Sequence, residues 1–574
     1  MKKINHEKSA LAKSFHEFCE KTSIAGYINI IGDKNTLLIE KFVWILINIG
    51  VLIISITILV KSWYKFDENP FVTSLDNMSY DVTSLYFPAI AVCNINQMSR
   101  QRTFQYAEFL ANKMHDGNAN STDINWFFER LKIMGQLLVY SSDATKEMID
   151  FQMILDELDP FPDSDFWDVE KAMRFMSPQC EDHIFKVKFN GVHYKTSEVF
   201  QLNKADEGFC CTFNYLRPSD TVYNDTLSPE NKTFPIKIGM ENGLEFFVFH
   251  NESDYYYPTM NTIGSQILIF NPFEYPEALT GNYRRDILEK ADMAYFDVTP
   301  KVRRANYEIR RYSRKQRQCM FRDEQFKEYK GNYKFSECLI KCRIESIKGL
   351  CDCLPYFVPR NFKDIATNDT ITCSLHHLHC FYKYKLKFRS WSPILEEKQV
   401  HGLEREFIDG MWCIECFPSC TFTQYSYISS FVVLHGMPPK YKDLQKSMSY
   451  KNSTIVKIYF SNQFAKLFYT DLVYTWEEMI SVYGSILSIF FGFSIISFLE
   501  FIYFMIYRTF QYKFGWIDDE MDEFRHIDVT NYKSIEQAFM IISARKNLYP
   551  LPSQYEFLRE IAVRKPLRRN IHRH

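Results

Sequence analysis

The chain has 574 residues, of which 46% are hydrophobic and 17% aromatic, and its formal net charge at pH 7 is −2. This length and composition allow a large buried core, and the near-neutral charge gives no global reason to expect a nucleic-acid partner. The sequence contains no glycine-rich phosphate loop, no HExxH motif and no GxSxG motif, so we expect the protein not to be an enzyme.

The first predicted element is a membrane span near the amino end. Phe42–Val60 contains no charged residue and is flanked by Lys41 and Lys61, which is the pattern of a transmembrane helix. The residues before it are polar and rich in lysine, and lysine-rich flanks remain in the cytoplasm. We therefore expect a cytoplasmic segment at 1–41, without a signal peptide, and a first transmembrane helix at 42–60.

The long middle region contains strand-like segments and no internal repeat. We expect one compact β-rich domain with helical insertions, and loop with short helix around Glu147–Phe175. His376, His377 and His379 indicate either a metal site or, as we favour, an exposed loop tip. The clearest strand-like segments are FPAIAVCNI, HIFKVKF, LEFFVFH and IVKIYF.

Ten cysteines crowd into residues 319–420. Cys338 and Cys342 lie four residues apart in a segment of helical character, so both thiols share one face. Cysteines on a facing return segment around Cys413 and Cys416 would form a ladder of disulfides with them. Zinc is the alternative for such spacing, but an oxidising compartment makes it the weaker one, so we expect no metal.

The second predicted span is Val482–Leu499, which is uncharged and followed directly by Glu500. A carboxylate within a span is costly and usually faces protein or a water-filled path. Small residues recur on one face of this helix, and spacing alone does not decide between helix packing and the lining of a pore. The residues of this face are Ser481, Ser485, Ser488 and Gly492.

Two spans place both chain ends in the cytoplasm and the middle region outside. Of fifteen cysteines, only Cys19 precedes the first span and none follows the second, which leaves fourteen for an oxidised framework. All seven glycosylation sequons lie between the spans. They are at Asn77, Asn120, Asn224, Asn231, Asn251, Asn368 and Asn452.

Several segments resemble the degenerin/epithelial sodium channel family. The sequence YFPAIAVCN at Tyr86–Asn94 is similar to the signature that follows the first span of that family. CCTFN at Cys210–Asn214, NPFEYPE at Asn271–Glu277 and the stretch ending Arg317–Cys319 are similar to its insect pickpocket branch, and Tyr483–Glu500 resembles the second-span signature. The resemblance extends from about residue 23 to residue 507.

The resemblance implies the fold class and the domain organisation. It implies a trimeric α+β membrane protein in which two transmembrane helices flank a large disulfide-rich β-containing ectodomain with palm, β-ball, knuckle, finger and thumb. The ectodomain would occupy 61–481 with a thumb-like cysteine-rich region at 319–420. The second transmembrane helix would occupy 482–507, with the pore and filter, and the cytoplasmic C-terminus 508–574.

The resemblance also implies a function. The chain would be a subunit of a non-voltage-gated, amiloride-sensitive, sodium-permeable cation channel with a sensory role in the plasma membrane. It would assemble as a homotrimer or heterotrimer with related subunits in the lipid bilayer, respond to an extracellular stimulus or ligand, and need no cofactor besides permeant Na⁺. The alternative is an accessory or receptor-like subunit that conducts only with a related partner.

The family's functional positions fall on specific residues of this chain. The selectivity filter falls on Gly492, Phe493 and Ser494, the degenerin gating position on Ser481, and the pore carboxylate below the filter on Glu500. Replacing Gly492 or Ser494 should therefore alter ion selectivity more than replacing Ser497, which lies outside the filter.

The chain departs from the family pattern at several positions. The amino-terminal His-Gly gating motif reads Ala25-Gly26, so only Gly26 carries over, and Ser485 and Ser488 stand where the family has glycines. The disulfide pairs that the resemblance implies are Cys93–Cys210, Cys180–Cys211, Cys319–Cys420, Cys338–Cys416, Cys342–Cys413, Cys351–Cys380 and Cys353–Cys373.

Overall fold

The computed structural model of the chain divides into two compact units, residues 71–473 and residues 1–70 with 474–574. Each unit is described by itself. The residues that the structure describes are 2–22, 24, 26–31, 37–160, 166–217, 236–277, 281, 284–324, 333–359, 370–391, 410–438, 441 and 449–514.

The larger unit is built on an eight-stranded sheet, called the large sheet, in the order β1-β15-β12-β14-β8-β4-β5 with β13 beside β12. Strand β12 is parallel to β14 and β15, and the other pairs are antiparallel. One edge of β12 pairs with β13, while the other pairs first with β14 and then with β15. The strands are β1 Phe71–Asp81, β4 Ile184–Phe189, β5 Val192–Tyr194, β8 Leu244–Phe249, β12 Asp292–Ala305, β13 Phe422–Val433, β14 Ser453–Tyr459 and β15 Phe464–Leu472.

A five-stranded small sheet has the order β11-β10-β2-β7-β6, and β3 pairs with β9 in a separate two-stranded sheet. Strands β7 and β10 are buried along their whole length, which explains why their sequences read as continuous apolar runs rather than alternating ones. The strands are β2 Ala89–Asn94, β3 Asn96–Ser99, β6 Phe200–Ala205, β7 Gly208–Phe213, β9 Tyr255–Pro258, β10 Gly264–Phe270 and β11 Arg284–Glu289.

The four segments predicted as strands are confirmed: three contain β2, β4 and β8, and the fourth overlaps most of β14. The region around Glu147–Phe175 is more helical than we expected. A 13-residue helix begins after Thr145, whose hydroxyl accepts a hydrogen bond from the backbone N–H of Met148, and a second helix follows Asp168. These side-chain caps are helix start signals that the sequence interpretation did not use.

The helices of this unit are α4 Arg100–Met114, α5 Ser121–Leu131, α6 Gln136–Val139, α7 Lys146–Leu158, α8 Val169–Met176, α9 Cys180–His183, α10 Thr196–Val199, α11 Arg314–Arg317, α12 Phe335–Cys351 and α13 Leu378–Arg389. Short 3₁₀ turns lie at Val82–Ser84, Lys132–Gly135, Met240–Asn242, Glu252–Asp254, Tyr307–Arg311, Leu375–His377 and Tyr450–Asn452. One continuous core includes residues from these helices, from the large sheet and from the small sheet. Within this core, Phe87 packs edge-on against Phe189, Phe213 and Phe460.

The structure joins the same seven cysteine pairs that the resemblance implies. The adjacent Cys210 and Cys211 bond to different partners because successive residues of β7 point to opposite faces of the small sheet. Cys210 bonds to Cys93 on the neighbouring strand β2, while Cys211 bonds to Cys180 at the start of α9.

Two disulfides form adjacent rungs of a ladder along helix α12. Cys338 and Cys342 lie one turn apart on this helix, as predicted, and bond to Cys416 and Cys413 of the return segment. The return segment therefore runs antiparallel to the helix. A third disulfide joins Cys351, at the end of α12, to the first turn of α13.

The smaller unit contains one helix, α3, that is long and apolar enough to cross a membrane, with a mean hydropathy of 2.7 in its most apolar window. It extends beyond the predicted span at both ends. Two further helices pass the same test only together and meet at a bend of 73°. The elements are α1 Lys2–Lys21, α2 Tyr27–Ile31, α3 Leu38–Glu68, α14 Trp476–Phe491, α15 Ile495–Ile502, a π-helix at Tyr503–Arg508 and α16 Thr509–Lys513.

Candidate pore segment

Helix α14 begins with a capping box. The hydroxyl of Thr475 accepts a hydrogen bond from the N–H of Glu478, and the Glu478 carboxylate accepts one from the N–H of Thr475 at 2.8 Å. These reciprocal bonds satisfy two backbone donors that the first turn of a helix leaves free. The helix has 16 residues and ends with Gly492 as its carboxyl-terminal cap.

The helix stops at the three residues to which the resemblance assigns a filter. Gly492 has φ 66° and ψ 19°, a left-handed conformation that glycine adopts without steric cost. Its N–H donates to the carbonyl of Ser488 at 2.8 Å, which closes the helix end. Ser494 has an extended backbone and caps the next helix, α15, so the chain direction changes between the two helices at Gly492–Ser494.

Two serines stabilise the far side of this break. The hydroxyl of Ser494 accepts a hydrogen bond from the N–H of Ser497 at 3.1 Å, and the two hydroxyl oxygens are 3.0 Å apart. Ser497 is fully buried, whereas Ser494 is exposed. Because Ser497 holds the Ser494 side chain in place, replacing Ser497 also disturbs this break, and Ser497 is therefore not an independent control for Ser494.

The small residues of α14 form an exposed face. Ser481, Ser485 and Ser488 are exposed in the single chain, as is Gly484 between them. The hydroxyl of Ser485 donates to the carbonyl of Ser481 at 2.6 Å, which satisfies it within the helix. The side chains on this face are small, and the Ser485 hydroxyl already has an acceptor. Another helix can therefore approach this face closely.

Glu500 lies on α15, beyond the helix break. Its Oε2 atom is buried and has no hydrogen-bond partner among the described residues. Leaving a buried carboxylate oxygen unpaired is costly unless water, a cation or another chain reaches it. The Glu500 carboxylate is therefore positioned to accept a contact from water, a cation or another chain.

A family model for the amiloride-sensitive sodium channel matches residues 18–504, which include α3, α14 and α15. The chain belongs to this family.

Relatives support the same assignment. A sodium channel protein Nach of Drosophila ananassae is 23% identical over 506 residues, which cover 88% of this chain and 88% of the relative. Pickpocket protein 28 of Drosophila melanogaster is 21% identical over 547 residues, or 88% of this chain and 80% of the relative. Degenerin del-1 of Caenorhabditis elegans is 22% identical over 342 residues. Because the family is one of ion channels, the chain is a membrane protein of a non-enzymatic family.

In this family member, the amino-terminal position Gly26 has little freedom. Its φ is +90°, and a Cβ atom there would lie 2.6 Å from Nδ2 of Asn48 on helix α3. The left-handed backbone favours glycine, and a side chain at this position would also have to displace the end of the Asn48 side chain. The neighbouring Ala25 lies outside the described residues.

The sequence interpretation missed a helix that packs against the end of the broken span. In α1, Phe18 is buried and its ring meets those of Phe501 and Phe504 at centroid distances of 5.4 and 5.9 Å. Ser14, one turn earlier, donates a hydrogen bond to the carbonyl of Phe504 in the π-helix. The signal was the spacing of Ala10, Ser14 and Phe18, which places small and apolar side chains on one helix face.

An ion pair completes this contact. The Glu17 carboxylate accepts hydrogen bonds from Nε and Nη2 of Arg508 at 2.7 and 2.9 Å and from the Tyr512 hydroxyl at 3.0 Å. Burial alone would raise the pKa of Glu17, but these donors together with Lys21 lower it to about 2. Glu17 is therefore ionised at neutral pH.

The histidine cluster is not a loop tip, which corrects our expectation. His376 lies in a 3₁₀ turn with Nε2 3.2 Å from Oδ2 of Asp156. His379 is the second residue of α13 and has Nδ1 2.8 Å from Oδ1 of Asp143. These contacts connect the cysteine-rich region to the segment around α7. Within the part of the chain that the structure describes, no three His, Cys, Asp or Glu side chains are grouped to hold a metal ion.

Four sequons lie on described residues of the larger unit. Asn77, Asn120 and Asn251 are exposed, and Asn452 is half-buried. The sequons at Asn224, Asn231 and Asn368 lie outside the described residues.

Proposed function

We propose that this chain is a subunit of a non-voltage-gated, amiloride-sensitive, sodium-permeable cation channel of sensory cells. The observation that carries the proposal is the helix break at Gly492–Ser494 inside an otherwise apolar bent span. Backbone that leaves the helix at membrane depth is tolerated where it is buried in protein or lines water. The exposed small-residue face of α14 precedes this break in the chain, and the Glu500 carboxylate follows it. This arrangement is suited to a water-filled path.

In the proposed channel, three related subunits arrange their α14 helices around one axis. The exposed face of Ser481, Ser485 and Ser488 lines the path, and backbone carbonyls at Gly492 and Phe493 replace the hydration shell of Na⁺. Ser494 supplies a further oxygen without adding charge, and Glu500 attracts cations beyond the break. Subunits of the trimer are copies of this chain or related pickpocket-type chains.

The proposed topology follows the same arrangement. Both ends of the chain lie in the cytoplasm, and residues 61–481 lie outside the plasma membrane. The large sheet then corresponds to the palm, the small sheet to the β-ball, helices α4–α8 to the finger and residues 319–420 to the thumb. The disulfides and the exposed sequons support an extracellular position.

A selectivity measurement tests the filter. Replacing Ser494 with alanine removes an oxygen and the cap of α15, so the Na⁺/K⁺ permeability ratio should fall severalfold. Ile496→Val is the matched control, because its side chain is exposed, lies two residues away and carries no oxygen. Reversal potentials of expressed channels, recorded in Na⁺ and K⁺ solutions, report the ratio. An unchanged ratio in both Ser494→Ala and Gly492→Ala would contradict the filter assignment.

A second candidate is an accessory or receptor-like subunit. Ser485 and Ser488, which replace family glycines, favour it because they add side-chain volume on the exposed face of α14. Such a subunit reaches the surface without conducting by itself and contributes current only when co-expressed with a pickpocket-type partner. Recording the chain with and without that partner, at matched surface level, separates the two candidates.

A further inference from the structure

The π-helix at Tyr503–Arg508 interrupts the end of the broken span, between α15 and α16. A π-helix pairs backbone groups five residues apart instead of four, so its turn holds about one residue more than an α-helical turn does. This geometry is rare, and it occurs mostly as single turns at functional sites. Contacts from outside the segment are therefore needed to stabilise it, and helix α1 provides them.

The carbonyl of Phe504 distinguishes the π-helical register from the α-helical one. In an α-helix this carbonyl would accept a hydrogen bond from the N–H of Arg508, but here it accepts one from the N–H of Thr509, one residue later. Two side chains donate to the same carbonyl, namely the Thr509 hydroxyl at 3.2 Å and the hydroxyl of Ser14 on α1, which is fully buried. Both hydroxyls therefore stabilise a carbonyl whose α-helical partner has been replaced.

Helix α1 contacts both ends of the π-helix at once. Phe18 packs against Phe501 and Phe504 near its beginning, while Glu17 accepts two hydrogen bonds from Arg508 at its end. If the segment became α-helical, Arg508 and the residues after it would rotate by about 100° and move by about 1.5 Å relative to Phe504. Glu17 could not then bond to Arg508 while Phe18 stays on Phe504. The docked position of α1 therefore fits the π-helical register.

We propose that docking of α1 sets the helical register at the carboxyl end of the broken span. With α1 docked, Tyr503–Arg508 is π-helical. When α1 leaves, the segment returns to the α-helix, and α16 rotates relative to α15. Ser14 is the positioning residue of this coupling, because its hydroxyl acts on the carbonyl that distinguishes the two registers. Displacement of the amino-terminal helix thus turns the chain that follows the span, and this coupling does not depend on ion conduction.

Cys19 reports whether α1 is docked. It is fully buried beside Phe18 and Phe504, and it is the free cysteine of a chain whose other fourteen cysteines form disulfides. The rate at which N-ethylmaleimide labels Cys19 in the purified full-length chain, measured by mass spectrometry, therefore follows undocking. Ser14→Ala should raise this rate about two- to tenfold, as expected for the loss of one hydrogen bond. Leu11→Ala, which changes an exposed residue of α1, should leave the rate unchanged.

Thr509→Val separates control of the register from direct contact with α1. Valine keeps the shape of threonine and removes the hydroxyl that donates to the Phe504 carbonyl. This hydrogen bond lies within the end of the span itself, so its loss leaves the bonds that Ser14 and Glu17 make unchanged and favours the α-helical register. The labelling rate of Cys19 should therefore rise severalfold. An unchanged rate in Thr509→Val would overturn the proposal.

Deletion of Ile506 tests the extra residue directly. The shortened segment can form an α-helix while Phe504 and Arg508 keep the relative positions that the π-helix gives them. Cys19 should then be labelled as slowly as in the unaltered chain, and adding Ser14→Ala should raise the rate by less than about twofold, because no π-helical register remains to be held. Ile506→Ala, which removes the exposed side chain and keeps the residue, is the control and should retain the full effect of Ser14→Ala. Severalfold faster labelling after the deletion alone would contradict the proposal.

Discussion

At the residue scale, two glycines set the backbone of the smaller unit. Gly492 ends α14 in the left-handed region, and Gly26 combines φ +90° with close contact to Asn48. The second-span resemblance is sufficient to identify Gly492, because Gly492-Phe493-Ser494 matches the family's filter sequence within an apolar run. The contact between Gly26 and Asn48 joins residues far apart in sequence, so no local pattern could predict it.

Gly26→Ala should lower the current of surface-expressed channels strongly. The Cβ of the alanine would overlap the Asn48 side chain. The left-handed backbone at this position would in addition cost on the order of 1–3 kcal/mol for a residue with a side chain. Gly50→Ala in α3 is the control, because its Cβ would meet no atom within 4 Å. Current at matched surface level, measured by biotinylation, reports the effect. Equal currents for both variants would show that Gly26 is not constrained as described.

At the scale of elements, the α1 contact depends on one partly buried ion pair. Glu17→Gln or Arg508→Gln should each loosen α1, and the double variant should lose little more than either single one. Hydrogen–deuterium exchange over residues 10–21 measures this loosening. Glu20→Gln is the control, since Glu20 pairs with His16 of its own helix. Additive effects of the two changes would contradict a direct pair.

This contact should also resist acid. The pKa of Glu17 is lowered to about 2, below the value near 4.3 of an unfolded glutamate. A lowered carboxylate pKa stabilises the contact at pH values above the unfolded pKa, and the contribution is lost as the pH falls toward 2. Exchange protection of α1, corrected for the intrinsic rate, should therefore be the same at pH 7 and pH 5.

The disulfide ladder gives a second prediction at this scale. Removing Cys342–Cys413 alone should cost less than the roughly 2–4 kcal/mol of an isolated disulfide, because Cys338–Cys416 one turn away still closes nearly the same loop. Removing both should cost more than the sum of the single losses. Thermal unfolding of the alanine pairs measures this, and strict additivity would mean that the two rungs do not share one constraint.

The sequence predicts those elements that follow from residues close together in the chain, and not those that depend on tertiary contacts. Apolar segments such as β2 and the helical face of Cys338 and Cys342 follow from periodicity, and the structure confirms both. Helix α7 is longer than the short helix expected there, because its cap at Thr145 was not used in the sequence interpretation. The pairs of His376 and His379 with aspartates depend on tertiary contacts, which single-sequence periodicity does not contain.

At the scale of the whole molecule, residues 71–473 form one compact unit, as expected from the absence of repeats. The proposed topology places this unit outside. Treatment with peptide N-glycosidase should therefore increase the gel mobility of the expressed chain, and replacing the exposed Asn77, Asn120 and Asn251 by glutamine should remove much of that shift. A sequon introduced into the segment 2–21 should remain unmodified. Glycosylation at that engineered site would contradict the topology.

The central claim, a sodium pathway along α14, is tested most directly with Ser481→Phe. Ser481 is exposed on the small-residue face, so three phenylalanines would overpack a closed gate and shift the equilibrium toward the open state. Ile480→Phe places the same aromatic side chain one position away and is the control.

The measurement is voltage-clamp recording of Ser481→Phe, alone and with a pickpocket-type partner, at verified surface expression. The account predicts a constitutive inward current that disappears when external Na⁺ is replaced by N-methyl-D-glucamine and that amiloride reduces. Ile480→Phe should show no such current. Absence of a Na⁺-dependent current from Ser481→Phe in both settings would contradict the account.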